Sequence, residues 1–370
     1  MNLPPFLLDH WLSTWDFAQP PIAFNLASST GPRWSVGELA ALSTAAPDIA
    51  ATVLGYAPPE GGRALREQVG DFHGVDPDAV VMTTGSSEAL SILMCLHARD
   101  GGNVVVPDPG YPAYGPLANA WGLEVRPYVL EAGAGFEQWA QAVLAASDAR
   151  TVAAIVNTPH NPTGSVMERG EIERLAGGLG ARGVPLIVDE VYHPLYFGAR
   201  RASAAGLGNV IVTSDLSKAF SLPGLRTGWI VDHDPARRAR IVDARSYFTV
   251  SGSPVLETLA ACALRERRDV LGRLDAVAGA NLACLDDLMA RAGGTLAWVR
   301  PRGGTTCFPW FVDGRDSRPF CQALAEKGVL LAPGDCFGHP AHFRLGFAQQ
   351  EVRFDAALDI LDDQLSTMCG

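Results

Sequence analysis

SDLSKAFSLPGLRTGW, residues 214–229, sets one lysine, Lys218, among small and apolar neighbours, with Arg226 eight positions on. The preceding NVIVT (209–213) has the β-branched run of a buried strand, so Lys218 falls just past a strand end. Pro223-Gly224 forces a turn, and GWIV (228–231) opens another apolar strand. A lysine crowded by apolar groups loses hydration, which lowers its pKa and favours the free amine that attacks carbonyls. Taken alone, the stretch reads equally well as a surface lysine in a loop.

The flanking chain adds a rhythm. VVMTTGSSEALSILMCLHA (80–98) reads as strand, tight turn and helix, with Ser86 and Ser87 as N-cap residues and Glu88 in the first turn. Strands follow at 103–107, 122–130 and 151–158, then a helix over 167–183 and the apolar strand PLIVDEVY (185–192). Strands apolar on both faces and alternating with helices indicate an α/β fold with a mainly parallel sheet. Ligands of such sheets gather beyond the carboxyl ends of the strands, where Gly85, Ser86, Ser87, Tyr111, Asn161, Asp189, Tyr192 and Lys218 cluster. After residue 232, helices over 235–249, 254–268 and 271–292 precede short strands in LAWVRP, TTCFPWFV and HFRLGFA, a helix near 318–327 and another from about 350. The expected division is an N-terminal arm (1–40), a large domain (41–245) and an α+β small domain (246–370) that the arm completes.

Composition narrows the function. Of 370 residues, 48% are hydrophobic and 19% charged, enough apolar mass for a sizeable core. The net charge of −11 argues against a nucleic-acid or anionic-membrane partner, so any phosphate or carboxylate must be held by local groups. No 18 apolar residues run together, which argues against a membrane span, and the N-terminus lacks the pattern of a signal peptide. Seven cysteines, with no CxxC pair, fit reduced thiols in a cytoplasmic setting and no metal site. Locally, TTGSSEAL aims backbone N–H groups of a helix start at an anion, and Arg226 can add a two-point contact. Asp189 closes an apolar strand, where a carboxylate needs a cation or donor.

The motifs GYAPPEGGRALRE, TTGSSEAL, PDPGYPAYG, NTPHNPTG, VDEVY, SKAFSLPGLRTGW and FRLGFA stand in one order over nearly the whole chain. In that order and spacing the chain resembles the class I/II aminotransferases, which are fold-type I pyridoxal-phosphate enzymes. The resemblance implies a large domain with a mainly parallel seven-stranded sheet sandwiched by helices, an α+β small domain, and pyridoxal 5′-phosphate as cofactor. It implies that Lys218 is the Schiff-base lysine and the proton shuttle. Asp189 then faces the pyridine nitrogen, Asn161 and Tyr192 the cofactor's 3-oxygen, and Tyr111 the ring face. Gly85, Ser86, Ser87 and Arg226 hold the phosphate, and Arg344 the substrate's α-carboxylate. Tyr56 matches a tyrosine that reaches the phosphate from a neighbouring subunit, which implies a homodimer with shared sites.

Two departures stand out. Three residues before Lys218, where the family has a serine or threonine touching phosphate, this chain has Asp215, leaving Ser217 as a stand-in. The segment ASSTGP (27–32) replaces a Gly-x-Pro stretch near the substrate. Three outcomes follow. Amino transfer between an amino acid and a 2-oxo acid leads; elimination or cyclisation, as in C–S lyase-like or capreomycidine-synthase-like relatives, is the alternative. A non-catalytic sensor comes last, given the acidic charge. His160 and His193 carry no expected role.

Overall fold

The computed structural model describes residues 3–43 and 47–369. Seven strands form the central sheet: β1 (Val80–Thr83), β2 (Asn103–Asp108), β3 (Glu124–Val129), β4 (Thr151–Asn157), β5 (Leu186–Asp189), β6 (Val210–Asp215) and β7 (Gly228–Asp232). Their order is β1-β7-β6-β5-β4-β2-β3. The central strands β4 to β6 are buried along their whole length, as their β-branched runs require. Their side chains alternate between two cores. Ile155, Ile187 and Ile211 face one helical layer; Val156, Val188 and Val212 face the other.

All pairings are parallel except those of β7, which runs antiparallel to both β6 and β1. The link between Asp215 and Gly228 carries only a short 3-10 turn, Pro223–Leu225, instead of a crossover helix. The chain therefore returns as a reversed strand, and the Lys218 loop is the bend.

Parallel register brings the carboxyl ends together: Asn157 lies beside Asp189, and Asp189 beside Thr213. Over this edge lies the N-terminal arm. Helix α1 (Leu7–Asp16) buries Leu8 and Trp11, and the Trp11 indole N–H donates to the Leu331 carbonyl at 2.7 Å. Phe24–Asn25 then pairs in parallel with Val329–Leu330. The next residues cross toward the sheet, with Gly346 N–H donating to the Leu26 carbonyl and the Thr305 hydroxyl to the Ser29 carbonyl. The short strands expected near the C-terminus are present: Thr306–Cys307 and Ala332–Pro333 flank Phe343–Gly346.

One expectation needs correction. Ser86 and Ser87 do not cap a helix; helix α2 (Gly85–His97) starts one residue before them, with Thr84 at the cap position. Gly85 takes φ +74, a left-handed turn that tightens the entry and draws both serines into the first helical turn. Glu88 lies in that turn as expected, and its carboxylate accepts the Thr84 N–H.

Candidate active site

A cavity of about 510 Å³ opens at the carboxyl edge of the sheet, roofed by the N-terminal arm. Its lining brings together Ser86, Ser87, Tyr111, Asn161, Asp189, Tyr192, Ser217, Lys218, Arg226 and Arg344 from the sequence-derived set. Gly85 sits just behind the wall. A Cβ there would fall 2.7 Å from the Arg226 guanidinium, so only glycine leaves that space open. Tyr56 is not brought in. It is 89% exposed on a loop and does not line the cavity of its own chain.

Lys218 lies in the bend after β6, and its Nζ donates to the Ser29 hydroxyl at 3.0 Å. Burial lowers its pKa below the ordinary lysine range; Asp215 opposes this, while Arg344 and Arg226 add to it. Desolvation wins because the two nearby carboxylates are matched by two guanidinium groups.

Asp189 ends β5 and is 4% exposed. It accepts the Tyr114 hydroxyl at 2.6 Å and the Val191 N–H at 3.3 Å. Burial pushes it up to about 7 against these donors and Lys218, with Asp215 adding to the rise. A buried carboxyl held near neutrality is suited to meet a cationic ring nitrogen, whose charge would restore its ionised form.

A polar chain joins the Asp189 backbone to Arg344. Asn157 donates through its side-chain amide to the Asp189 carbonyl, and its side-chain oxygen accepts the Asn161 N–H at 2.7 Å. Asn161 Oδ1 in turn accepts Arg344 Nη1 at 3.2 Å, and Ala27 O accepts Nη2 at 2.7 Å. Arg344 is 2% exposed, and its Nε has no partner. The Tyr192 hydroxyl is likewise buried without one, and burial pushes its pKa up to about 12. Two orphaned donors in one cavity mark where ligand oxygens belong.

At the other end of the cavity, Ser86 and Asp215 face each other at the start of α2. Asp215 Oδ1 also accepts the Ser217 N–H at 2.8 Å. Arg226 adopts φ +45 on the reversing turn, and its exposed guanidinium donates to the Pro223 carbonyl at 3.3 Å.

This arrangement matches a known family. Residues 33–361 match aminotransferase class I and II. The chain belongs to that family. It is 32% identical to a capreomycidine synthase of Streptomyces vinaceus over 99% of this chain and 95% of that protein. It is 34% identical to a valine–pyruvate aminotransferase of Mycobacterium tuberculosis, covering 96% of this chain and 95% of that protein. A crystal structure of a PLP-dependent aminotransferase from Streptococcus suis superposes with a TM-score of 0.90 at 26% identity, covering 99% of each chain. The family's cofactor is pyridoxal 5′-phosphate, and the residues fit it. The orphaned Tyr192 hydroxyl, the amine of Lys218 and the space that Gly85 preserves beside Arg226 supply the groups such a molecule needs.

Sequence reasoning missed Tyr114, Asn157 and Ser29. Asn157 had a usable signal, since it ends β4 at the edge where ligands gather. Tyr114 stands in the quoted PDPGYPAYG, but nothing in its spacing separates it from Tyr111. His160 and His193 are buried in loops, with partners Thr163 and Tyr196 at 2.8 and 2.9 Å. Burial lowers both, His160 to about 3 and His193 to about 4, so both are neutral imidazoles.

Proposed function

We propose that this aminotransferase-family protein moves an amino group between an amino acid and a 2-oxo acid, with Lys218 as the catalytic amine. The observation that carries the reading is one cavity holding a depressed lysine amine, a buried carboxyl and a buried arginine with an unpartnered Nε. Bound there, pyridoxal phosphate supplies an aldehyde carbon and a ring that accepts the electron pair of the substrate's Cα–H bond. Lys218 Nζ holds the cofactor and, once freed by the incoming amino acid, takes the α-proton and returns it elsewhere. Asp189 keeps the ring nitrogen protonated. Asn161 and Tyr192 donate to the ring oxygen, and Tyr111 covers a ring face. Ser86, Ser87, Ser217 and Arg226 receive the phosphate at the N-terminus of α2. Arg344 grips the α-carboxylate with a planar fork that lysine could not reproduce.

A homodimer with shared sites is part of the proposal. Val53, Leu54 and Tyr56 are 82%, 82% and 89% exposed on one loop, an apolar surface that a second copy would cover. The partner subunit's Tyr56 would then reach the phosphate. A reducing, cytoplasmic setting suits Cys262, Cys307, Cys321 and Cys336, which are buried free thiols. Among the described residues no helix is long and apolar enough to cross a membrane.

A second reading keeps the cofactor and ends in elimination or cyclisation. It is favoured by the 32% identity to a capreomycidine synthase and by the 27–32 segment, whose Ser29 touches Lys218. One experiment separates them. The purified yellow protein is given an amino acid alone, and cofactor and product are followed together. Accumulation of the aminated cofactor with a 2-oxo acid supports amino transfer; a dehydrated or cyclised product with the cofactor unchanged overturns it.

A further inference from the structure

Helix α1 is amphipathic in an unusual sense. Leu8, Trp11 and Trp15 pack into the protein, while Asp9, Ser13 and Asp16, spaced i, i+4, i+7, form a second stripe that lines the active-site cavity. Phe6, just ahead, packs on Tyr111 with ring centroids 6.3 Å apart, which sets this solvent-exposed stripe at the mouth of the site. Neither carboxylate forms an ion pair among the described residues. Asp9 supports the start of the helix, but Asp16 sits in the last turn, where the helix dipole disfavours a negative charge. Its position is therefore not explained by helix stability.

On the sheet side of the cavity Asp189 and Asp215 are engaged by donors of Tyr114, Val191, Ser86 and Ser217, with Lys218, Arg226 and Arg344 beside them, while Asp9 and Asp16 line the arm side. Asp9 is close enough to oppose, after burial and the nearer groups, the lowering of the Arg344 pKa. Arg344 Nε, buried and unpartnered, marks the carboxylate end of a ligand. Along α1 the two aspartates are about 10 Å apart, within the span a long flexible side chain can sample.

From this polarity we propose that the amino acid accepted carries a cationic group, guanidinium or ammonium, at the far end of its side chain, and that Asp9 and Asp16 select it. The α-carboxylate is held by Arg344 and the distal cation by the α1 stripe. Dicarboxylic amino acids are rejected by the same two charges. The inference rests on the reading of the cavity as an amino-acid site, but not on which reaction follows.

The test reads binding through the first change in the bound cofactor's absorption, a step common to transfer, elimination and cyclisation. L-Arginine is titrated against its neutral isostere L-citrulline, L-lysine against L-norleucine, and L-glutamate is added as the acidic probe. The wild-type protein is expected to favour the cationic member of each pair and to bind glutamate weakest. In D9N/D16N the cationic-over-neutral ratio should fall about 10-fold, roughly 3-fold for each exposed carboxylate. D9E/D16E should restore it, and added salt should weaken it in the wild type alone. Equal or reversed preference in the wild type, failure of any cationic amino acid to perturb the chromophore, or an unchanged ratio in D9N/D16N would overturn the proposal. Tight cationic binding without appearance of the aminated cofactor would instead count against amino transfer and leave the selectivity standing.

Discussion

Asp215 Oδ2 accepts both the backbone N–H and the hydroxyl of Ser86, each at 3.1 Å, so a carboxylate occupies two of the donors a phosphate would use at the start of α2. Two anions cannot share those donors without repulsion, and the Arg226 guanidinium beside Gly85 is the only arginine lining that end of the cavity among the described residues. Asp215 must therefore turn toward Arg226 or yield Ser86 when a phosphate arrives.

D215S should accordingly bind pyridoxal phosphate more tightly than the wild type, by about 10-fold, the scale of one partly screened charge contact. Affinity for pyridoxal, which lacks the phosphate, should hardly change. Titration of the cofactor-free protein with each compound, followed by absorbance, checks both. Equal phosphate affinity in the two proteins would mean that the carboxylate already points away.

Arg344 is predicted to act on substrate and not on cofactor. Its guanidinium is fixed by Ala27 O and Asn161 Oδ1, leaving Nε for the ligand. R344K keeps the charge but loses the fork, and should raise KM for the amino acid about 100-fold, within the 2–5 kcal/mol that loss of a buried charged contact costs. Cofactor content, read by absorbance, should stay at the wild-type level. K218A should show the opposite pattern. Substrate still binds, but the covalently held chromophore is lost and turnover falls by at least about 10³-fold, as expected for removal of a proton-transferring group.

The sheet was legible because β4 to β6 are buried on both faces, which leaves β-branched runs that no other environment produces. Lys218, Asp189 and Arg344 were legible through motifs, since each stands in a short run whose order along the chain is fixed. Long-range polar pairing was not. The contact between Lys218 and Ser29 joins residues 189 positions apart, and that between Arg344 and Ala27 spans 317. Neither follows from any local pattern, because the arm reaches the sheet only after pairing with Val329–Leu330. The acidic stripe of α1 was hidden for the same reason: amphipathic spacing shows which residues are polar, not that the polar face overlooks a cavity.

Tyr114 supplies a test of how Asp189 is poised. Its hydroxyl donates to the carboxylate at 2.6 Å, opposing the rise caused by burial. Y114F removes that donor without opening a large cavity, so Asp189 should titrate higher than about 7. The ionised carboxylate that steadies a proton on the ring nitrogen would then form only at higher pH, and the pH–rate profile of the variant should narrow on its acid side. A profile identical to the wild type would show that the ring nitrogen does not depend on Asp189.

Glu190, the next residue, gives a prediction about stability. Trp229 donates its indole N–H to His73 Nε2 at 2.9 Å, which leaves the His73 proton on Nδ1, 2.8 Å from the Ser203 hydroxyl. Ser203 then donates to Glu190 Oε2 at 2.6 Å, and Ala204 N–H to Oε1 at 2.7 Å. His73, lowered by burial to about 3, is neutral and offers no charge to the nearby carboxylate. Burial therefore prevails over the donors and pushes Glu190 up to about 7, against an ordinary value of 4.5. The folded state thus binds a proton between pH 4.5 and 7 that the unfolded chain has released, so this group's contribution to stability falls as pH rises through that window. The loss is at most about 3.5 kcal/mol, from a rise of about 2.5 pKa units at roughly 1.4 kcal/mol each. E190Q carries no such proton linkage. Its melting temperature relative to the wild type should climb from pH 5 to about pH 7 and level off toward pH 8, whatever fixed offset the altered hydrogen bonding imposes. Thermal melts of the cofactor-free proteins across that range decide the matter, and a pH-independent difference would place Glu190 as an ordinary ionised carboxylate.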